Sequence, residues 1–365
     1  MITSTRRLFE RWRGVGANAT TVPPMDGVLG PNQAIEEAPV LVHADAPDNL
    51  VSDGKSILFT TRNRIMRLGG PAETAEEIAS FDAPVCALAA RDGAMAVGLD
   101  GGPIRILGGK HDGKVFVEAG GRRILGPTAI LFVDADTLLV ALGSEQNPPS
   151  MWRHDLMQKN ASGSIWRVNI ASGEATCLAG GLAWVGGLLA AQDGRIIASE
   201  SWRNRLIALR PGERPSAALA DITGYPGRLS AASDGGAWLS VFAPRSQLVE
   251  FVLREDDYRR SMMAEIEPRF WIAPSLAPTQ SFLEPMQLGG LKQLGILKPW
   301  APTRSFGLII CLDSALEPRL SFHSRADGTR HGITSTLELE NWLLTTSKGG
   351  NAIVTIPLEG PGATP

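Results

Sequence analysis

The chain has little that would fit it for polyanions, membranes or a disulfide scaffold. It carries 35 Lys and Arg against 38 Asp and Glu, a net charge of −3. No basic field exists to draw nucleic acid, and no acidic tail to draw a basic partner. Its three cysteines, Cys86, Cys177 and Cys311, are far apart and odd in number. That argues against a disulfide framework or a thiolate metal site, and reads as buried free thiols. No stretch approaches the roughly 18 apolar residues needed to span a bilayer. The opening MITSTRRLFERWRGVG is basic but lacks the apolar core of a secretory signal, so the cytoplasm is the expected compartment. There is no Gly-x-Ser-x-Gly elbow, P-loop, dinucleotide fingerprint or Cys-x-x-Cys, so no cofactor is expected.

What is present is a recurring phrase: an Asp-Gly or similar turn, a short apolar strand, a few polar residues, and a second apolar strand. It reads SDGKSILFTTRNRIMRL at 52–68, RDGAMAVGLDGGPIRIL at 91–107, QDGRIIASESWRNRLIAL at 192–209 and SDGGAWLSVFAPRSQLVEFVL at 233–253. Weaker copies lie at 133–144, continuing into 163–174, and at 339–358. Repeats of roughly 40 residues built from short strands and tight turns predict a β-propeller. The six copies make the expected fold all-β, a six-bladed β-propeller, and 40 Gly and 25 Pro suit its many turns.

Residues 1–38 read as a lead-in, with a single propeller domain over 39–365 and blade one starting near Val40. Two regions break the repeat. The first, 145–162, falls inside the third blade, and its WRHDLMQ portion suits one or two helical turns. The second, 254–305, is an α-containing insertion in the fifth-to-sixth blade region, with Met262, Met263 and Ile266 at helical spacing and a Pro/Gly-rich run to Trp300. Both are rich in Trp, Met and Phe, which suits a lid over one channel mouth better than an ornamental loop. The same content permits 254–305 to dock a partner protein or a membrane.

Several of these phrases resemble strictosidine synthase-like proteins. They are GPNQAIEEAPVLVHADAPDNL at 30–50, GSIWRVNIASGEATCLAGGLAWVGGLLAAQDGRIIASESWRNRLIAL from 163, ITGYPGRLSAASDGGAWLSVF at 222–242 and DGTRHGITSTLELENWLLTTSKGGNAIVTIPL at 327–358. They occur in the same order from about residue 30 to 358. The resemblance implies a six-bladed propeller of the superfamily that also holds the paraoxonase/arylesterases and the gluconolactonase-type lactonases. Most hydrolytic members hold a divalent cation, usually calcium, at the channel centre, on a first-blade Glu and later Asn or Asp side chains.

Carried across, the first-blade Glu falls at Asp48, the third-blade Asn near Thr128, the fourth-blade Asn at Gly186 and the fifth-blade Asp-Asn pair at Gly227-Arg228. Calcium takes six to eight oxygens at about 2.3–2.6 Å. Two of the positions are Gly, which supplies no side-chain oxygen, and one is Arg, a permanent cation. No metal is therefore expected, and Arg228 is expected to take the cation's place and pair with Asp48. The synthase's acid/base Glu falls at Thr334, which argues against an amine–aldehyde condensation. Glu338, which matches a Glu common in the wider family, shares a strand face with Thr334 and Thr336 by period two. It is the candidate acid/base, set against a structural Glu bonded to backbone N–H groups.

Arg228 is a candidate to hold a carboxylate or oxyanion, set against a plain Asp48–Arg228 pair. Trp184 is a candidate wall for a ring-shaped substrate, set against inter-blade core. Trp152 and His154, in the first insertion, are candidate contacts, with His154 set against an exposed loop histidine. His323 and His331 read as hairpin residues. The expected function is a metal-independent small-molecule enzyme that hydrolyses, condenses or cleaves an apolar substrate bearing a carbonyl or carboxylate. Two alternatives stand beside it: a non-catalytic ligand-binding propeller, and a calcium-dependent lactonase or esterase.

Overall fold

The computed structural model describes residues 22–68, 75–210, 212–281, 283–285, 292–293, 296–297 and 303–358. Six four-stranded antiparallel sheets form the blades of a propeller. Their inner strands are Pro47–Ser52, Val85–Arg91, Ala129–Phe132, Val185–Ala190, Gly224–Ala231 and Ile333–Leu339. Each inner strand touches that of the next blade, and the sixth returns to the first.

The reason these strands form blades is visible in their burial. Both faces of a blade pack on neighbours, so strands such as Leu308–Leu312 and Ala237–Pro244 are buried along their whole length. One apolar cluster fills each of the six gaps. Phe116, Leu138 and Trp166 fill the gap between blades two and three. Leu206, Leu239 and Ile310 fill that between four and five. Face-to-face sheet packing of this kind supplies the core a single twisted sheet cannot.

Three sequence expectations are corrected. Val40–His43 does not start blade one. It pairs antiparallel with Ala352–Pro357 as the outermost strand of blade six, so the two ends of the repeat region close the ring together. The 233–253 phrase does not supply two strands. Its second half is the helix Gln247–Val252, capped by Ser246 Oγ, which accepts from Val249 N–H. The third strand of blade five is Leu308–Leu312 instead, so the second insertion lies within blade five. Of the cysteines, only Cys311 is fully buried; Cys86 is half-buried and Cys177 exposed.

Helices form at Trp152–Gln158 and Asp256–Glu265, as expected, but the second ends before Ile266, which is extended and exposed. Trp300 and its neighbours, and residues 1–21 of the lead-in, lie outside the described residues. The described part of the lead-in runs over the outer strands of blades five and six. Ile35 is buried there, and Asn32 Nδ2 donates to Ser321 O at 2.8 Å. No helix among the described residues is long and apolar enough to cross a membrane.

His323 and His331 are not hairpin residues: both are buried, at the two ends of the connection from the outer strand of blade five to the inner strand of blade six. His323 is fully buried and bonds Ser321 Oγ at 2.9 Å, and burial pushes its pKa down to about 4. The folded chain therefore keeps this ring neutral where the unfolded chain, titrating near pH 6.5, has already taken a proton. Stability is full above pH 6.5 and is lost as pH falls towards about 4, by on the order of 3 kcal/mol from this ring. Urea midpoints measured from pH 7 to 4 should fall, and His323→Phe should flatten that slope whatever its absolute stability.

Candidate functional site

A cavity of about 330 Å³ opens at one end of the channel. Its floor is a charge cluster. Asp48 is 4 % exposed, and its two carboxylate oxygens accept from two different cations: Oδ1 from Arg228 Nη1 at 2.6 Å, and Oδ2 from Lys348 Nζ at 2.8 Å. Oδ1 also accepts from Asn49 N–H at 2.8 Å. Burial pushes the Asp48 carboxyl up, but Arg228 and Lys348 outweigh it and hold it down at about 2. The guanidinium is fixed further by donating from Nη1 to Thr334 O at 3.2 Å and from Nη2 to Cys86 O at 2.7 Å. Burial pushes the Cys86 thiol up, so it stays protonated.

Local backbone geometry places these groups. A register break between Asp48 and Val51, with Asn49 left-handed at φ 54°, turns the strand start into the channel. Asn tolerates that conformation better than most residues, and Asn49 Nδ2 is pinned by Thr60 Oγ1 at 2.9 Å. Arg228 sits on the inner strand of blade five. Lys348 directly follows the blade-six strand Trp342–Ser347.

The walls are aromatic. Trp152 meets Phe242 edge-on at 5.5 Å, and Trp184 stacks on Trp202 at 5.2 Å. Trp202 Nε1 donates to the fully buried Asp155 at 2.8 Å, which also accepts from Asn147 and Asn160. Trp184 itself is left-handed at φ 61°, which is costly for a bulky residue. Its carbonyl accepts from Ser201 N–H at 2.8 Å, and the Trp202 stack holds the ring.

The two insertions meet above this wall. Arg153 Nε donates to Pro274 O at 3.0 Å, and His154 packs edge-on against Trp271 at 4.7 Å. Leu276, from the second insertion, lines the cavity. Its carbonyl fills the space a side chain would need at Gly349, one residue after Lys348.

The structure brings together Asp48, Arg228, Thr128, Thr334, Trp184 and Trp152. Thr128 is spent on structure, its hydroxyl bonding Val185 O. His154 does not line the cavity; half-buried, it joins the two insertions, and burial and Arg153 lower its pKa.

Glu338 is the main correction. It lies four residues beyond Thr334, roughly 13 Å along the strand, and a register break between Ile333 and Ser335 interrupts the alternation between the two. There Oε1 accepts from Ser233 N–H at 3.1 Å and Oε2 from the Trp238 indole N–H. The period-two argument does not carry across that break, and it says nothing of depth. Lys348 went unrecognised because a lysine before a Gly-Gly turn reads as solvated. Only a Lys placed directly at the end of a blade-six strand hinted at the channel.

Gly186, where the family resemblance puts a metal-binding Asn, has no room for a side chain. A Cβ there would lie 2.7 Å from Ser201 Oγ and 3.0 Å from Pro226 O. Among the described residues no group of three or more His, Cys, Asp and Glu is arranged to hold a metal ion.

No family model matches the sequence, and no curated protein matches it. Solved structures do match its shape. A gluconolactonase from Xanthomonas campestris superposes with a TM-score of 0.53 at 11% identity, over 87% of this chain and 88% of that one. A luciferin-regenerating enzyme superposes with a TM-score of 0.51 at 11% identity, over 90% and 95%. The chain is a six-bladed β-propeller. At this identity the likeness establishes the fold and leaves the chemistry to the site.

Glu338→Ala should lower stability by about 1–3 kcal/mol by stranding the Trp238 indole and the Ser233 amide. It should leave the affinity of a mouth probe such as benzoate unchanged. Thermal melts and calorimetry on one preparation check both halves.

Proposed function

We propose that the mouth cavity is the reaction site of a lactonase- or esterase-like small-molecule enzyme that uses no divalent cation. Its substrate combines a flat apolar body with a carbonyl or carboxylate. The single observation that carries this reading is two partly buried cations sharing one buried carboxylate beneath an aromatic wall.

A divalent ion does not fit this donor set. The one carboxylate at the hub has both oxygens engaged, and each partner is itself cationic. Arg228 and Lys348 carry one positive charge more than Asp48 neutralises. That surplus suits a carbonyl oxygen turning into an oxyanion, in a confined site where such contacts are strong. Trp152, Trp184 and Phe242 would cover the substrate's apolar face. Asp100, at the edge of the cavity with Oδ1 held by Ser150 N–H at 2.8 Å, would take the proton from an attacking water.

The propeller acts as one domain over 39–365, and the joined insertions act as its lid. The ordered phrases, with Gly at the fourth- and fifth-blade positions, support a place near the metal-free strictosidine synthase-like branch. Thr334, lacking an acid, favours hydrolysis over condensation. A second reading, a binding propeller without turnover, is favoured by one observation: Asp48 stays ionised and Cys86 protonated, so neither moves a proton near neutral pH.

Turnover of phenyl acetate and dihydrocoumarin with and without chelator tests these readings. Equal rates are expected. Arg228→Met and Lys348→Met should each cost about 10²–10³ in kcat/KM, and Asp100→Asn should act mainly on kcat. Calcium retained at one per chain, or loss of activity with chelator, overturns the metal-free reading. Benzoate binding with no turnover of either substrate leaves the binding propeller.

A further inference from the structure

The channel does not end at Arg228. Past the mouth, the six inner strands continue as 49–52, 88–91, 129–132, 188–190, 228–231 and 335–337, and these segments line a second cavity of about 360 Å³. Along each inner strand the mouth-lining residue comes before or at the start of the far-cavity segment, as Asp48 precedes 49–52 and Thr334 precedes 335–337. The two cavities are therefore stacked along the axis, on opposite sides of the charge cluster, and Arg228 lines both. Three residue steps beyond Arg228 give the far cavity a depth of roughly 10 Å.

Its chemistry differs from that of the mouth. Leucines from several blades line it, among them Leu88, Leu131, Leu188 and Leu337, where the mouth has indoles. Its volume is that of a small-molecule site. Polar groups come from blade one (Asn49, Ser52), from blade two, where Arg91 at the outer rim donates to Val133 O and pairs with Asp92, and from blades five and six. Arg228 Nη1 and Nη2 are committed to Asp48, Thr334 O and Cys86 O, and Nε has no protein partner among the described residues. Ser230 Oγ and Thr336 Oγ1, 2.8 Å apart, form a hydroxyl pair on the cavity wall. In such a pair one hydroxyl donates to the other, and the second proton is free for a ligand acceptor.

We propose that this far cavity is a binding site for a medium-chain fatty carboxylate that enters from the mouth opposite the lid. The alkyl chain lies along the leucines. The carboxylate lies towards Arg228 and the Ser230–Thr336 pair, drawn by the cluster's surplus positive charge. The site stands independently of any catalysis at the aromatic mouth, because its lining beyond Arg228 is separate.

Calorimetry with butyrate, hexanoate and octanoate tests it. Affinity should rise about fourfold per added methylene, and octanoate should bind at least tenfold tighter than 1-octanol. Ala190→Phe narrows the far cavity at an exposed position and should weaken octanoate at least tenfold. Trp152→Ala, confined to the mouth, should leave octanoate unchanged. Ser230→Val provides a second far-cavity variant and should weaken octanoate severalfold, with circular dichroism showing each variant folded. Absence of octanoate binding, affinity independent of chain length, unchanged affinity in both far-cavity variants, or loss in Trp152→Ala overturns the proposal. Benzoate titrated in parallel reports on the mouth alone, so failure of one site is distinguishable from failure of the other.

Discussion

The interaction on which the channel depends is the sharing of one buried carboxylate by two cations. A lone ion at the hub of a propeller would be costly, because the hub is walled by six strands and poorly hydrated. Asp48 is tolerable there because both oxygens are occupied and Asn49 N–H adds a third bond. The cluster also ties blades together. Asp48 comes from blade one, Arg228 from blade five and Lys348 from blade six, while the guanidinium reaches back to Cys86 O of blade two. Four blades are thus referenced to one point, and the walls of both cavities are set by it.

The lid rests on the same point. Leu276 crosses over the turn that carries Lys348, and only glycine at 349 leaves space for its carbonyl. Gly332, left-handed at φ 66°, makes the matching space on the preceding loop. The return end of the insertion is held nearby by Ser305 Oγ bonded to His331 Nδ1 at 2.7 Å. The first insertion gains its position through Trp152 on Phe242 and Arg153 on Pro274 O, so neither insertion is placed by its own helix propensity. The indole wall belongs to the same assembly, since Trp202 reaches Asp155 of the first insertion.

This explains which parts of the molecule were legible in the sequence. Blades are local: an Asp-Gly turn between two apolar runs fixes a hairpin, and repetition fixes the count. Asp48 and Arg228 were reached through the family resemblance, which carries its hub positions onto them, and not through local pattern. Depth along a strand was not legible, which is why Glu338 fell beside Trp238 rather than in the mouth. The Gln247–Val252 helix was misread as a strand because its apolar residues are contiguous, and a capping serine outweighs the repeat there. Lys348 escaped notice because its pairing with Asp48 spans 300 residues, and no local pattern records so distant a contact.

The cluster also constrains what chemistry the mouth can support. A carboxylate held at about 2 by two cations is a fixed negative charge across the neutral range. It serves to aim Arg228 and Lys348 and takes no part in proton transfer. A divalent ion at such a hub would be a concentrated charge that a chelator or a competing ion could remove. Here the charge is spread over a planar guanidinium and an ammonium that are part of the chain. The planar fork of Arg228 is largely spent on Asp48, Thr334 O and Cys86 O, which fixes the guanidinium as an oriented charge. Lys348, with one N–H bonded to Asp48, keeps donors for a ligand oxygen, so recognition at this hub rests on a fixed charge beside a freely rotating ammonium.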